Sequence, residues 1–292
     1  MKILVPATSA NLGPGFDCLG LSLKYFNQTI VEKSNFFSIS VHGEGENNIY
    51  LKKNNTFVNI FYEIYQRLSG KKDNFRFVFQ NNIPLSRGMG SSSAVIVAAI
   101  ACAYELSGFK VEKNTILNEA LKYENHPDNI AAATLGGFVC ALTHNDKVLA
   151  IKKEIDKNLQ AIITIPNMPM NTQKSRSVLA KKISLEDGVF NLCHASFLTA
   201  CFLEKKYDLL KYASLDKLHQ NQRMNLLPEL FEVQKISLDN NAIMSTLSGS
   251  GSSFFTLAYK DDAKKIKEKL KNKFIKFRIK LLEFDDEGFK IC

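Results

Sequence analysis

Pro84-Leu85-Ser86-Arg87-Gly88-Met89-Gly90-Ser91-Ser92-Ser93-Ala94 follows a strand-like run, Phe75 to Phe79, and leads into Ser91 to Leu106, a segment apolar on almost every side. Glycine lets a backbone take positive φ and come close to a ligand, so successive N–H groups of such a loop can point inward. The helix behind it presents its own free N–H groups and the positive end of its dipole to the same point. Together they make an anion site suited to a nucleotide phosphate. Serine hydroxyls in the first helical turn are placed to cap the helix or to ligate Mg²⁺. The loop is not a Walker A motif, because no G-K-[S/T] is present. The plainer alternative is a glycine turn with Ser91 as an ordinary N-cap.

On either side of this loop the chain mixes strands and helices without a regular βαβ alternation, which argues for an α+β protein. Met1 to Pro6 reads as a short strand and Ala7 to Gly20 as a turn region rich in small residues. Leu21 to Glu32 and Phe36 to His42 read as strands. Phe61, Ile64, Tyr65 and Leu68 stand at i, i+3, i+4 and i+7, which marks an amphipathic helix ending near Gly70. A helix apolar all round, as Ser91 to Leu106 is, belongs inside the fold. Glu112 to Tyr123 and His126 to Thr134 follow as helices, and Phe138 to Leu142 and Leu159 to Ile165 as strands. Thr172 to Leu238 is mostly helical. Two short strands around a Gly-Ser turn, a lysine-rich helix and a strand from Phe277 to Phe284 complete the chain. The expected domains are 1–155 and 156–292.

The chain has 292 residues, 45% hydrophobic and 23% charged, which excludes a disordered or fibrous protein. Its longest apolar run, Ala94 to Tyr104, is shorter than the ~20 residues that cross a bilayer. Pro6 interrupts the N-terminus before a signal-peptide core develops. Six scattered cysteines without metal-ligand spacing read as reduced thiols of a cytoplasmic protein. The net charge of +9 raises the question of nucleic acid. Much of the lysine lies between Lys260 and Lys280 with no interleaved aromatic platform for bases, so a solvated helix face is expected, with neither nucleic acid nor membrane as partner.

Two further segments extend the phosphate loop into a pattern: Pro6-Ala7-Thr8-Ser9-Ala10-Asn11-Leu12-Gly13-Pro14-Gly15-Phe16-Asp17 before it, and Leu247-Ser248-Gly249-Ser250-Gly251-Ser252-Ser253 after it. Three motifs in this order resemble the GHMP kinases, and the resemblance spans nearly the whole chain. Within that family the unbroken first motif resembles the homoserine kinases. The resemblance implies an N-terminal domain like the second domain of ribosomal protein S5, a ferredoxin-like C-terminal domain, and a substrate cleft between them. It also implies transfer of the γ-phosphoryl of ATP, with Mg²⁺, to the side-chain hydroxyl of L-homoserine. A homodimer is plausible for the family, but no sequence feature decides it.

A zwitterionic substrate needs an anion for its ammonium and a cation for its carboxylate. Asn11 and Asp17 resemble the family's ammonium and hydroxyl contacts. Thr172 and Arg176, spaced i and i+4, can share one helical face, and Arg223 maps to the family's second arginine. A planar guanidinium suits a carboxylate. The plain alternatives are a turn cap for Asp17 and surface positions for both arginines. Glu124-Asn125-His126-Pro127-Asp128-Asn129 resembles the family's E-G-H-P-D-N, with Asn125 in place of glycine. Ser92 and Glu124 are the candidate Mg²⁺ ligands, with Glu119 the alternative acid. His126 is either a substrate contact or a core histidine. Asp128 is the residue able to act as general base and Asn129 to orient the hydroxyl; the alternative is transfer driven mainly by positioning and loop electrostatics. Gly249, in the third motif, is expected to hold the substrate or the phosphate loop from the other domain. Rival readings are a mevalonate-type kinase, whose substrate has no ammonium for Asp17, and a ligand-sensing relative that binds ATP without turnover.

Overall fold

The computed structural model describes residues 1–170 and 172–292. Its first half comprises β1 (Lys2–Ala10), β2 (Leu19–Ser34), β3 (Ser38–Gly43), α1 (Ile49–Lys53), α2 (Thr56–Ser69), β4 (Asn74–Asn81), α3 (Ser91–Leu106), α4 (Lys113–Ala120), α5 (Pro127–Leu135), β5 (Phe138–His144) and β6 (Lys147–Lys153). The second half comprises β7 (Leu159–Ile165), α6 (Thr172–Ser177), α7 (Leu185–Leu203), α8 (Leu210–Ala213), α9 (Gln220–Met224), α10 (Glu229–Leu238), β8 (Met244–Leu247), β9 (Phe254–Tyr259), α11 (Lys260–Lys273), β10 (Arg278–Leu282) and β11 (Lys290–Ile291).

Strand β1 runs four residues beyond Pro6, into the segment expected to be a turn. The ladder between β1 and β2 shifts register between Pro6 and Ala7, so the proline sits at a bulge, where a strand tolerates a missing N–H. This extension carries Thr8 to Ala10 in strand geometry up to the site. The sequence reading also has no strand between Leu142 and Leu159. Asn145 and Asp146 both take positive φ, the geometry of a two-residue hairpin turn, and β6 pairs back along β5.

The first sheet follows the path β11-β1-β2-β4-β3, with β5 on the start of β2 and β6 on β5. Helices α3 and α5 lie against β1, and α2 lies against α3. Asn55 caps α2 by accepting the Val58 N–H, and Gly70 ends the helix in the left-handed conformation. The second sheet is wholly antiparallel in the order β10-β7-β9-β8. Its strand, helices, strand, strand, helix, strand order is ferredoxin-like. Ala263, Ile266 and Leu270 turn one stripe of α11 onto this sheet and leave its lysines in solvent.

One apolar core joins the two layers, including Ile3 and Leu21 of the first sheet, Ile163 and Phe255 of the second, and Phe202 of α7. A smaller core lies under α10 and α11. Residue 155 falls between the two sheets, yet the tail recrosses that line. Phe284 bridges to Leu23, and β11 pairs with β1 through Ile3 and Ile291.

Candidate functional site

All three glycine-containing motifs meet at one place. Thr8 donates its backbone N–H to the Met89 carbonyl at 3.1 Å, and Gly249 donates to the Ala10 carbonyl at 3.1 Å. Ser248 Oγ donates to the Gly88 carbonyl at 2.7 Å, and Ser253 N–H to the Arg87 carbonyl at 2.9 Å. Gly88 and Gly90 have φ of 72° and 67°. A Cβ on Gly88 would stand 2.1 Å from the Ser248 carbonyl oxygen, and one on Gly90 1.9 Å from Thr8 Oγ1. Only glycine fits either position.

Gly90, not Ser91, is the N-cap of α3, and no side chain caps that terminus. The ordinary-cap alternative for Ser91 is therefore excluded. The N-terminal end of this sixteen-residue helix opens on a cavity of about 220 Å³ walled by Ser86, Gly88, Gly90, Ser91 and Ser92 among others. Pro84, Arg87, Met89 and Ser93 also reach it, whereas Leu85 and Ala94 do not. Arg87 binds the loop to the end of β7, donating to the carbonyls of Leu85, Pro166 and Asn167 at 3.0–3.1 Å.

A second cavity, about 70 Å³, adjoins the first and shares Glu124, Asn129, Thr172, Gly249 and Ser250 with it. Asp17 occupies this cavity, with φ of 56°, and donates its N–H to Asn11 Oδ1 at 3.0 Å. Asn11 Nδ2 donates in turn to the Gly249 carbonyl at 3.0 Å. The Asp17 carboxylate is more than a turn cap, because Arg176 Nη2 lies 2.6 Å and His126 Nδ1 3.3 Å from its oxygens. His126 lines the cavity and is half-buried, so it is no core residue; burial lowers its pKa and keeps the ring neutral.

Arg223 is only 1% exposed, which removes its surface alternative. It donates from Nη1 to the Gly249 carbonyl at 3.1 Å and from Nε to the Ser175 carbonyl at 3.4 Å. Phe16 lies against both arginines, its ring centroid 5.2 Å from the Arg176 guanidinium carbon and 5.1 Å from that of Arg223. Burial, reinforced by the Arg176 charge, lowers the Arg223 pKa to about 10. No carboxylate lies within 4.0 Å of this buried cation among the described residues, and Nη2 has no hydrogen-bond partner there.

Asp128 lies in the first turn of α5, 4% exposed, and burial raises its pKa to about 7, with the charges of Asp17 and Glu124 adding to the rise. Its Oδ1 accepts from the backbone N–H of Asn129 at 2.8 Å. Thr8 Oγ1 donates to Asn129 Oδ1 at 2.6 Å and fixes that amide. Glu124 borders both cavities; burial, with Asp17 nearby, raises its pKa. Glu119 borders neither cavity and is paired to Arg67 and Lys122 at 2.7 and 2.9 Å. The sequence reading named neither Thr8 nor Phe16 individually, though both lie in its first motif. It missed Ser250, in the third motif, which lines both cavities, and the buried group Asn191, Asp216 and His219, which contacts the Gly13 and Pro14 carbonyls of the first motif.

Residues 55–137 match the family GHMP kinases N terminal domain and residues 200–276 match GHMP kinases C terminal. The chain is 91% identical to the homoserine kinase of Campylobacter lari over 292 residues, all of both chains. It is 72% identical to a Campylobacter jejuni homoserine kinase, again over all of both chains. Among solved structures, a homoserine kinase from Cytophaga hutchinsonii superposes with a TM-score of 0.89 at 27% identity, covering 100% of this chain and 97% of that one. A mevalonate kinase superposes with a TM-score of 0.72 at 14% identity, over 98% of this chain and 100% of the other, a likeness of fold alone.

Proposed function

This chain belongs to the GHMP kinases, among the homoserine kinases, and from that membership we propose how its residues divide the transfer of a phosphoryl group from ATP to the side-chain hydroxyl of L-homoserine. The reaction releases ADP and O-phospho-L-homoserine, a step of threonine biosynthesis.

The observation that carries the assignment is Arg223, a buried guanidinium without a carboxylate partner among the described residues. An uncompensated buried charge is costly, so the site is built to receive an anion. The carboxylate of homoserine is that anion, received by Arg223 and Arg176 with Thr172 beside them. The ammonium goes to Asp17, steadied by Asn11, with His126 and Gly249 closing the cavity. Arg176 and Asp17 are paired with each other at 2.6 Å. A zwitterion replaces each partner of that pair with one of its own charges. A substrate carrying only one charge leaves either Asp17 or the arginines unmatched.

The triphosphate lies against the loop from Pro84 to Ala94 and the N-terminus of α3. The wall of that cavity supplies two oxygen ligands, Ser92 and Glu124, and no group of three His, Cys, Asp or Glu able to hold a metal occurs among the described residues. Such a donor set fits Mg²⁺, which commonly takes one or two protein oxygens and completes its shell with phosphate and water. When bound, the ion neutralises charge on the triphosphate. Asp128 accepts the proton of the substrate hydroxyl, and Asn129, fixed by Thr8, orients that hydroxyl. A carboxyl titrating near 7 is matched to such a transfer at neutral pH. Six unbridged cysteines support a cytoplasmic location.

The test is Mg²⁺-dependent ADP release from ATP with L-homoserine, D-homoserine, L-serine and mevalonate side by side. Turnover with L-homoserine far above the others is expected. Equal turnover with mevalonate would discard the zwitterion argument, and silence with all four would favour a ligand sensor.

A further inference from the structure

Arg223 has five N–H groups, and their direction decides whether any faces the substrate cavity. One Nη1 proton goes to the Gly249 carbonyl; the remaining Nη1 proton meets His219 Nδ1 at 3.2 Å. His219 is completely buried, and its other ring nitrogen, Nε2, lies 2.8 Å from the Gly13 carbonyl oxygen. A carbonyl only accepts and a guanidinium only donates. Nε2 therefore carries the ring proton and Nδ1 offers a lone pair, which makes His219 a neutral imidazole in one fixed tautomer.

The neighbouring acid does not require a charged ring. Asp216 already accepts from the backbone N–H groups of Leu218, His219 and Gln220 and from Asn191 Nδ2, at 2.6–3.1 Å. Asn191 also donates to the Pro14 carbonyl at 3.3 Å. The group thus ties the turn of the first motif to α9, the helix that carries Arg223.

We propose that His219 is a positioning residue for substrate recognition, its Nδ1 lone pair turning the Arg223 guanidinium so that Nη2 faces the carboxylate of the bound amino acid. This rests on the reading of Arg223 given above. The Gly249 carbonyl and the imidazole hold both Nη1 protons and the Ser175 carbonyl holds Nε–H, so Nη2 alone is left to the ligand, and a side chain with no acceptor at position 219 removes one of the three contacts that fix this orientation. Burial disfavours the imidazolium, in keeping with a ring that serves as acceptor.

Two amide substitutions separate the two ring contacts. His219→Asn places an oxygen near the position of Nδ1 and gives up the bond to Gly13. His219→Gln places its amide near Nε2, keeps the bond to Gly13 and gives up the acceptor for Arg223. The expected result is a KM for L-homoserine raised about tenfold or more in His219→Gln, with KM for ATP unchanged, and near-normal values in His219→Asn. Thermal unfolding of each variant reports folding separately. Equal effects of both substitutions, no effect of either, or a larger effect of His219→Asn would each overturn the proposal. Arg223→Ala serves as reference: an unchanged KM for L-homoserine there would refute the role of Arg223 itself, whereas a raised one beside a normal His219→Gln would refute only His219.

Discussion

Asp128 shows how burial tunes a single residue. Held at about pH 7 by its surroundings, it changes charge within the working range of an enzyme. The basic form accumulates above that value, so turnover is expected to rise as pH passes upward through about 7. Asp128→Asn should lower kcat by about 10²–10⁴-fold, leave KM for L-homoserine unchanged and flatten the rise. A smaller loss, with the pH profile intact, would show that positioning and loop electrostatics carry the transfer. The same shift affects stability with the opposite sign. Between its ordinary value of 3.8 and about 7, the folded chain keeps a proton that the unfolded chain releases, so this contribution falls as pH rises through that window. Asp128 was legible because it sits in a dense motif. The burial of Arg223 was not, because its partners Ser175 and Gly249 are distant in sequence.

At the scale of elements, the phosphate loop depends on tight contacts between β1, the turn before β9 and the start of α3. Gly90→Ala would place a methyl group against Thr8 Oγ1, the hydroxyl that fixes Asn129. Loss of ATP affinity and a lowered melting temperature are expected, measured by nucleotide titration and thermal unfolding. Gly70→Ala is the control, since φ is 69° there but nothing lies within 4 Å. It should cost about 1–2 kcal/mol of left-handed strain and leave ATP binding intact. If both variants lost only that much, the close approach at Gly90 would have no functional weight. Helix α2 was legible from its clean periodicity, α3 from a long run apolar on almost every side, and strand β7 from its β-branched run. Strand β6 was not, because its outward residues Leu149 and Ile151 are apolar and exposed, which blurs the alternation. The extension of β1 was hidden by Pro6, whose bulge depends on pairing with β2.

Across the whole molecule, the site exists only where the two halves meet. Asp17 and Asp128 come from the first half, and Arg176, Arg223 and Gly249 from the second. The family fold and the order of the motifs were legible in the sequence. The recrossing tail was not, since a two-residue strand such as β11 has no pattern of its own. The central claim is that opposite charges from the two halves recognise the two charges of the substrate. Its most direct test is kcat/KM for L-homoserine and for L-homoserinamide, which lacks the carboxylate, in the native enzyme and in Arg223→Ala. The native enzyme should favour L-homoserine by about 10²-fold, as expected for losing one partner of a buried charged contact, and Arg223→Ala should lose most of that preference. A preference equally large in both proteins would contradict the claim.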